Sequence, residues 1–308
     1  MAKRAIVFVL FVVNFLGASL SLAREEAAPN GAKGFPLYGE DDRYDFFAAD
    51  PKYIKFFKNS VALIEQERLT LTESTSGTAY WEIRGDHHGR ANNLCRSERY
   101  YDQLGAAFCS GVLIQPDVVL TAGHCFDSPE ECQTAKFVFG FHQLAQDISP
   151  TTARLEDVYE CKEMIYWVNK RVSPDFALIR LTQKVSNREP ATLRLSRRIL
   201  KNEAIFAVGY SKGLPAKLAN NAVVRKALPE RSYFEANLDV YYNNSGSPVY
   251  NEVSGVLEGI LLSGEEDFSY DRKLQCYRSK QCTNTGCKGE TVMRISEILP
   301  HLPQNELN

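Results

Sequence analysis

The stretch Ala107-Phe-Cys-Ser-Gly-Val-Leu-Ile-Gln-Pro-Asp-Val-Val-Leu-Thr-Ala-Gly-His-Cys125 is two apolar runs folded around a Pro-Asp turn. Runs this short, rich in β-branched residues and split by a turn dipeptide, predict a β-hairpin. The second run ends on His124, so the hairpin delivers an ionisable ring to the end of a strand. Similar short runs lie on both sides: residues 60–64, 137–140, 177–181, 205–209 and 255–262. Many short strands separated by turns argue for an all-β sandwich or barrel. Only residues 292–302 carry helical spacing, and Pro300 stops it, which predicts a short C-terminal helix.

The chain opens with Lys3 and Arg4, an apolar run from Ala5 to Leu16 interrupted by Asn14, and small residues up to Ala23. That order predicts a secretory signal peptide over residues 1–23, cleaved after Ala23, and not a membrane anchor. Residues 24–36 are polar, with Gly and Pro, and predict a leader. A formal net charge of −2 provides no broad basic surface for nucleic acid. The eight cysteines all follow the signal, and an even count in an exported chain predicts disulfides. Their spacing does not form paired C-x-x-C knuckles, so no metal site and no cofactor is expected. His87-His88, in a Gly-flanked loop, reads as exposed surface.

Hydrolysing an amide in water takes a nucleophile, a base to receive its proton, a group that orients the base, and donors for the oxyanion. The chain offers candidates for each side-chain role, with Ser247 competing with Ser245 as nucleophile. His124 closes the hairpin above. Asp175 directly precedes an apolar strand in Pro174-Asp-Phe-Ala-Leu-Ile-Arg-Leu181. Ser245 sits in Asn243-Asn-Ser-Gly-Ser-Pro-Val249, where Gly246 and Pro248 turn the backbone sharply.

These three segments, in this order, resemble the chymotrypsin/trypsin-like serine endopeptidases over about residues 37–265. The wording Asn-Ser-Gly-Ser-Pro-Val, with Asp41-Asp-Arg43 upstream, is most similar to the bacterial glutamyl-endopeptidase branch. The resemblance implies two packed six-stranded antiparallel β-barrels with the site between them: an N-terminal barrel in residues 37–181, a linker at 182–202, a C-terminal barrel with a Cys-rich loop in 203–300, and a tail at 301–308. It implies His124, Asp175 and Ser245 as catalytic triad, the backbone N–H groups of Asn243 and Ser245 as oxyanion donors, and a Cys109–Cys125 disulfide. Six cysteines then leave their pairing open, with one local bridge expected among Cys276, Cys282 and Cys287.

The resemblance also implies a substrate-binding set. Asp239, six residues before Ser245, occupies the position that selects Lys or Arg in trypsin-like enzymes. The glutamyl branch instead uses a threonine and a histidine, at positions that here hold Val240 and Leu261. Leu262, Ser263 and Gly264 form the expected pocket wall, and residue preference stays open. Two departures stand out: Asn243 replaces the usual glycine of the oxyanion loop. Asn244 replaces the aspartate that pairs with a new amino terminus in trypsin-like zymogens. The expected protein is a secreted or periplasmic monomeric endopeptidase acting on protein or peptide, with no stable membrane association after signal cleavage. A catalytically weak homologue binding peptide in the same cleft, and an esterase with the same triad, are the alternatives.

Overall fold

The structure is a computed structural model that describes residues 36–170 and 173–303. The expected signal, the leader up to residue 35 and the tail from residue 304 lie outside the described residues. Six strands, β1 (Ser60–Glu65), β2 (Ala107–Gln115), β3 (Val118–Thr121), β4 (Ala135–Phe139), β5 (Val158–Asn169) and β6 (Asp175–Leu181), close an antiparallel barrel in the order β4-β5-β6-β3-β2-β1. A second antiparallel barrel comprises β7 (Ala204–Gly209), β8 (Lys217–Lys226), β9 (Tyr233–Ala236), β10 (Pro248–Asn251), β11 (Leu257–Ser263) and β12 (Glu290–Arg294). Its order is β7-β10-β11-β12-β9-β8, closed by pairing of β7 with β8. The chain therefore folds as two closed six-stranded barrels.

Strand periodicity explains how the barrels come to share a face. Val61 and Leu63 of β1 join Leu113, Val119, Phe137, Phe139 and Ile179 inside the first barrel. Their neighbours Ala62 and Ile64 point the other way, with Val112, Leu120, Phe176 and Leu178, into a cluster that also holds Phe206, Val208, Tyr250, Ile260 and Met293. Successive strand side chains face opposite sides, so one apolar run fills the barrel and the seam between barrels at once. A third cluster, with Ile205, Val224, Phe234, Val249 and Val292, fills the second barrel. Each fully buried aliphatic or aromatic side chain contributes about 1.5–3 kcal/mol, so sliding the barrels apart exposes a large share of the core.

Other segments tie the two halves together. Arg43–Asp45 pairs with β8, and Leu37–Tyr38 pairs in parallel with Gln281–Cys282. The stretch after β6 crosses from the first barrel, where Ala191 N–H donates to Leu113 O, to the second, where Arg194 N–H donates to Leu257 O. Four disulfides join Cys95 to Cys276, Cys109 to Cys125, Cys132 to Cys161, and Cys282 to Cys287. The last is the expected local bridge. The first ties a loop of the N-terminal half to the hairpin Phe268–Asp271/Cys276–Ser279.

Two expectations change. Residues 292–294 complete β12, and the helical turns after them are 3₁₀, at Ile295–Glu297 and Leu299–His301. Pairing with both β9 and β11 overrides a local helical pattern. His88 is 2% exposed, not a surface residue, because it starts a short helix (His88–Ala91) folded under residues 101–103.

Candidate active site

The hairpin β2–β3 runs into a single 3₁₀ turn, Gly123–Cys125, that presents His124 at the seam. Its base is closed by the Cys109–Cys125 disulfide, with Cα atoms 6.1 Å apart. Trp167 of β5 donates from Nε1 to Gly123 O at 2.9 Å, which pins the turn from outside. A Cβ on Gly123 would stand 2.0 Å from Val168 O and 2.9 Å from Asp175 Oδ1. Glycine is what lets the turn approach β5 and Asp175 so closely.

Asp175 opens β6 and is 3% exposed. Its Oδ1 accepts the His124 backbone N–H at 2.8 Å, and its Oδ2 lies 2.6 Å from His124 Nδ1. A carboxylate that accepts from Nδ1–H fixes one tautomer and turns the lone pair of Nε2 outward. His124 Nε2 lies 2.8 Å from Ser245 Oγ, which also reaches Leu262 O at 3.3 Å. The geometry therefore brings His124, Asp175 and Ser245 into one hydrogen-bonded chain that crosses the seam between barrels. Such an arrangement can move the hydroxyl proton onto the imidazole while the buried carboxylate stabilises the resulting cation.

Ser245 stands in a tight turn before β10. Gly246 has φ +83°, and a Cβ there would meet Ser110 O at 2.1 Å, so only glycine fits. Asn243 also has positive φ, at 70°, a conformation that asparagine tolerates better than most residues. Its side chain donates to Ala107 O at 3.1 Å and its carbonyl accepts from Ser110 Oγ at 3.3 Å. Neither the Asn243 nor the Ser245 backbone N–H is spent on a hydrogen bond among the described residues. Asn244 is buried; its Nδ2 donates to Ser211 Oγ at 2.8 Å and its Oδ1 accepts from Ser247 Oγ at 2.9 Å. Ser110, Ser211 and Trp167 carry no local sequence signal, since each acts on a residue distant in the chain.

The substrate-binding set is placed less uniformly. Val240 and Leu261, 1% and 0% exposed, pack in the second-barrel core. Leu262 offers its carbonyl to Ser245, Ser263 is exposed at the end of β11, and Gly264 follows it. Asp239 is buried and turned toward the N-terminal segment: Oδ1 accepts the Tyr38 N–H at 2.6 Å and Oδ2 the Asp42 N–H at 2.9 Å. Burial pushes its carboxyl up to about 7, against those two amides. Next to it, Tyr38 OH donates to Glu290 Oε1 at 3.1 Å, and burial drives Glu290 well above the ordinary carboxylate range.

Residues 109–260 match the family model described as a trypsin-like peptidase domain, a span that contains His124, Asp175 and Ser245. The chain is 38% identical over 80 residues, 25% of its length, to chymotrypsin-like elastase family member 1 of Macaca fascicularis and of Canis lupus familiaris. Those alignments span 28% and 29% of the relatives' own lengths. Among solved structures, a serine endoprotease from Yersinia pestis superposes with TM-score 0.47 and 13% identity, covering 80% of this chain and 62% of that one. The family match and the elastase-family relatives support a chymotrypsin/trypsin-like serine protease.

Proposed function

We propose that this trypsin-like serine protease is a secreted endopeptidase that cleaves peptide bonds through an acyl-enzyme, with Ser245 as nucleophile, His124 as general base and then acid, and Asp175 as the group orienting His124. The observation that carries this reading is the continuous chain Asp175–His124–Ser245, with contacts of 2.6 and 2.8 Å. In the forward step Ser245 Oγ attacks the scissile carbonyl and its proton passes to His124 Nε2; His124 then protonates the leaving amine, and water reverses the sequence. The free amides of Asn243 and Ser245 serve as oxyanion donors. Four disulfides accord with an extracellular or periplasmic site of action. The Asn-Ser-Gly-Ser-Pro-Val and Asp-Asp-Arg wording favours a place near the glutamyl-endopeptidase branch. With Val240 and Leu261 in place of that branch's acid-binding groups, the preference for glutamate is not carried over.

A fluorophosphonate probe tests the reading. The wild-type chain is expected to label on one serine and Ser245→Ala to lose all labelling. Correctly folded wild type that fails to label would leave the cleft as a peptide-binding site without chemistry, the reading that Asn243 in place of glycine favours.

A further inference from the structure

Asp239 stands where a cation-selecting carboxylate is expected, yet both its oxygens accept backbone amides of residues 38 and 42. The far end of that short segment grips the same stretch. Arg43, 1% exposed, lies 4.0 Å over the Tyr241 ring, donates from Nη2 to Tyr241 OH at 3.0 Å, and is itself held by Asp41 at 2.7 Å. Arg99 donates to the carbonyls of Asp41 and Arg43, at 2.7 and 2.6 Å, locking the segment's outer side. Residues 38–43 therefore clamp residues 239–241, and two positions later comes Asn243. Other holds on this turn come from the far side: Ser211 on Asn244 and Tyr241, Asp267 on the Tyr242 amide, the Lys212 amide on Tyr242 O, and Ala107 and Ser110 on Asn243. An asparagine at 244 offers no ion-pair partner for a terminal ammonium, and the clamp from residues 38–43 is the hold on this stretch that comes from the N-terminal segment.

We propose that Asp239 is a positioning residue for the oxyanion turn: its carboxylate clamps residues 38–42 against residues 239–243 and so holds the Asn243 amide in place, and it does not meet a substrate side chain. The proposal rests on the endopeptidase reading for its catalytic consequence, but the clamp itself is a structural claim. Both amides that bind Asp239 are peptide N–H groups within the chain, so the clamp forms without a newly generated amino terminus.

Two arms test it on the full chain. In a Ser245→Ala background, hydrogen exchange of residues 239–244 is compared with and without Asp239→Ala. Asp239→Asn, which keeps one acceptor, serves as the milder variant. The clamp predicts exchange in this stretch at least about tenfold faster in the alanine variant, smaller acceleration in the asparagine variant, and unchanged protection in β7, β10 and β12. Unchanged exchange at 239–244 overturns it. With Ser245 intact, peptides differing only in the residue before the scissile bond (Arg, Glu or Leu) are compared. Displacing one oxyanion donor predicts a fall in kcat of up to about 100- to 1000-fold, by the same factor for all three, with KM within about threefold. A loss confined to the Arg peptide, or no loss, overturns the positioning role. If the wild type cleaves no peptide at all, the endopeptidase reading falls while the exchange arm still decides the clamp.

Discussion

Asp175 makes the sharpest residue-scale prediction. Its two oxygens hold both the backbone and the ring of His124, so Asp175→Asn keeps the shape but presents an amide donor to Nδ1 and favours the wrong tautomer. We expect kcat on a chromogenic peptide to fall by about 10⁴-fold with the fold intact by circular dichroism; a fall below tenfold would contradict the assigned role. The positions of His124, Asp175 and Ser245 were legible because each sits in a short stretch whose neighbours constrain the backbone: a glycine before the histidine, a strand after the aspartate, Gly246 after the serine. Asp239 was only half legible. Its distance from Ser245 along the chain is local information, but its partners Tyr38 and Asp42 lie 201 and 197 residues away, and no nearby pattern announces such a contact.

Among the elements, the hairpin β2–β3 shows how local chemistry fixes the site. The disulfide closes a loop of 16 residues, and in the chain-entropy account such a link contributes about 3 kcal/mol. Replacing Cys109 and Cys125 together by alanine is therefore expected to lower unfolding free energy by about that amount in urea titrations without reductant. A change under about 0.5 kcal/mol would show that Trp167 and the barrel pairing hold the turn unaided. The hairpin could be read directly, since a Pro-Asp turn between apolar runs has few alternatives. The C-terminal stretch could not. Val292, Met293 and Ile295 recur at spacings compatible with a helix, but Val292 and Met293 each meet β9 on one side and β11 on the other. That closure is a property of the whole second barrel and overrides local preference.

The whole molecule carries two neutral histidines, His88 buried and His142 partly buried, that link its stability to pH. Burial first, then the positive charges of Arg43, Lys212, Lys217 and His87, hold His88 down at about 3; burial and Arg188 hold His142 down at about 4. Unfolded, both would titrate near about 6.5, so the unfolded chain binds more protons between that value and the folded ones. Their contribution is therefore complete above about pH 6.5 and lost as pH falls toward 4. Asp239, raised to about 7, works in the opposite sense over an overlapping range. Urea midpoints measured from pH 7.5 to 4 should fall more gently in His142→Gln than in wild type; equal slopes would contradict the burial of a neutral ring. At this scale the all-β class was legible from the many short apolar runs and the double barrel only through the family resemblance of the three segments, whereas the seam that unites His124 and Asp175 with Ser245 emerges only when alternate faces of one strand fill two cores. The most direct test of the account is cleavage of a defined peptide library, read by mass spectrometry, with the wild-type chain and with Ser245→Ala. The account predicts new peptide termini with the wild type and none with the variant. Cleavage that persists in Ser245→Ala, or its absence with folded wild type, would contradict it.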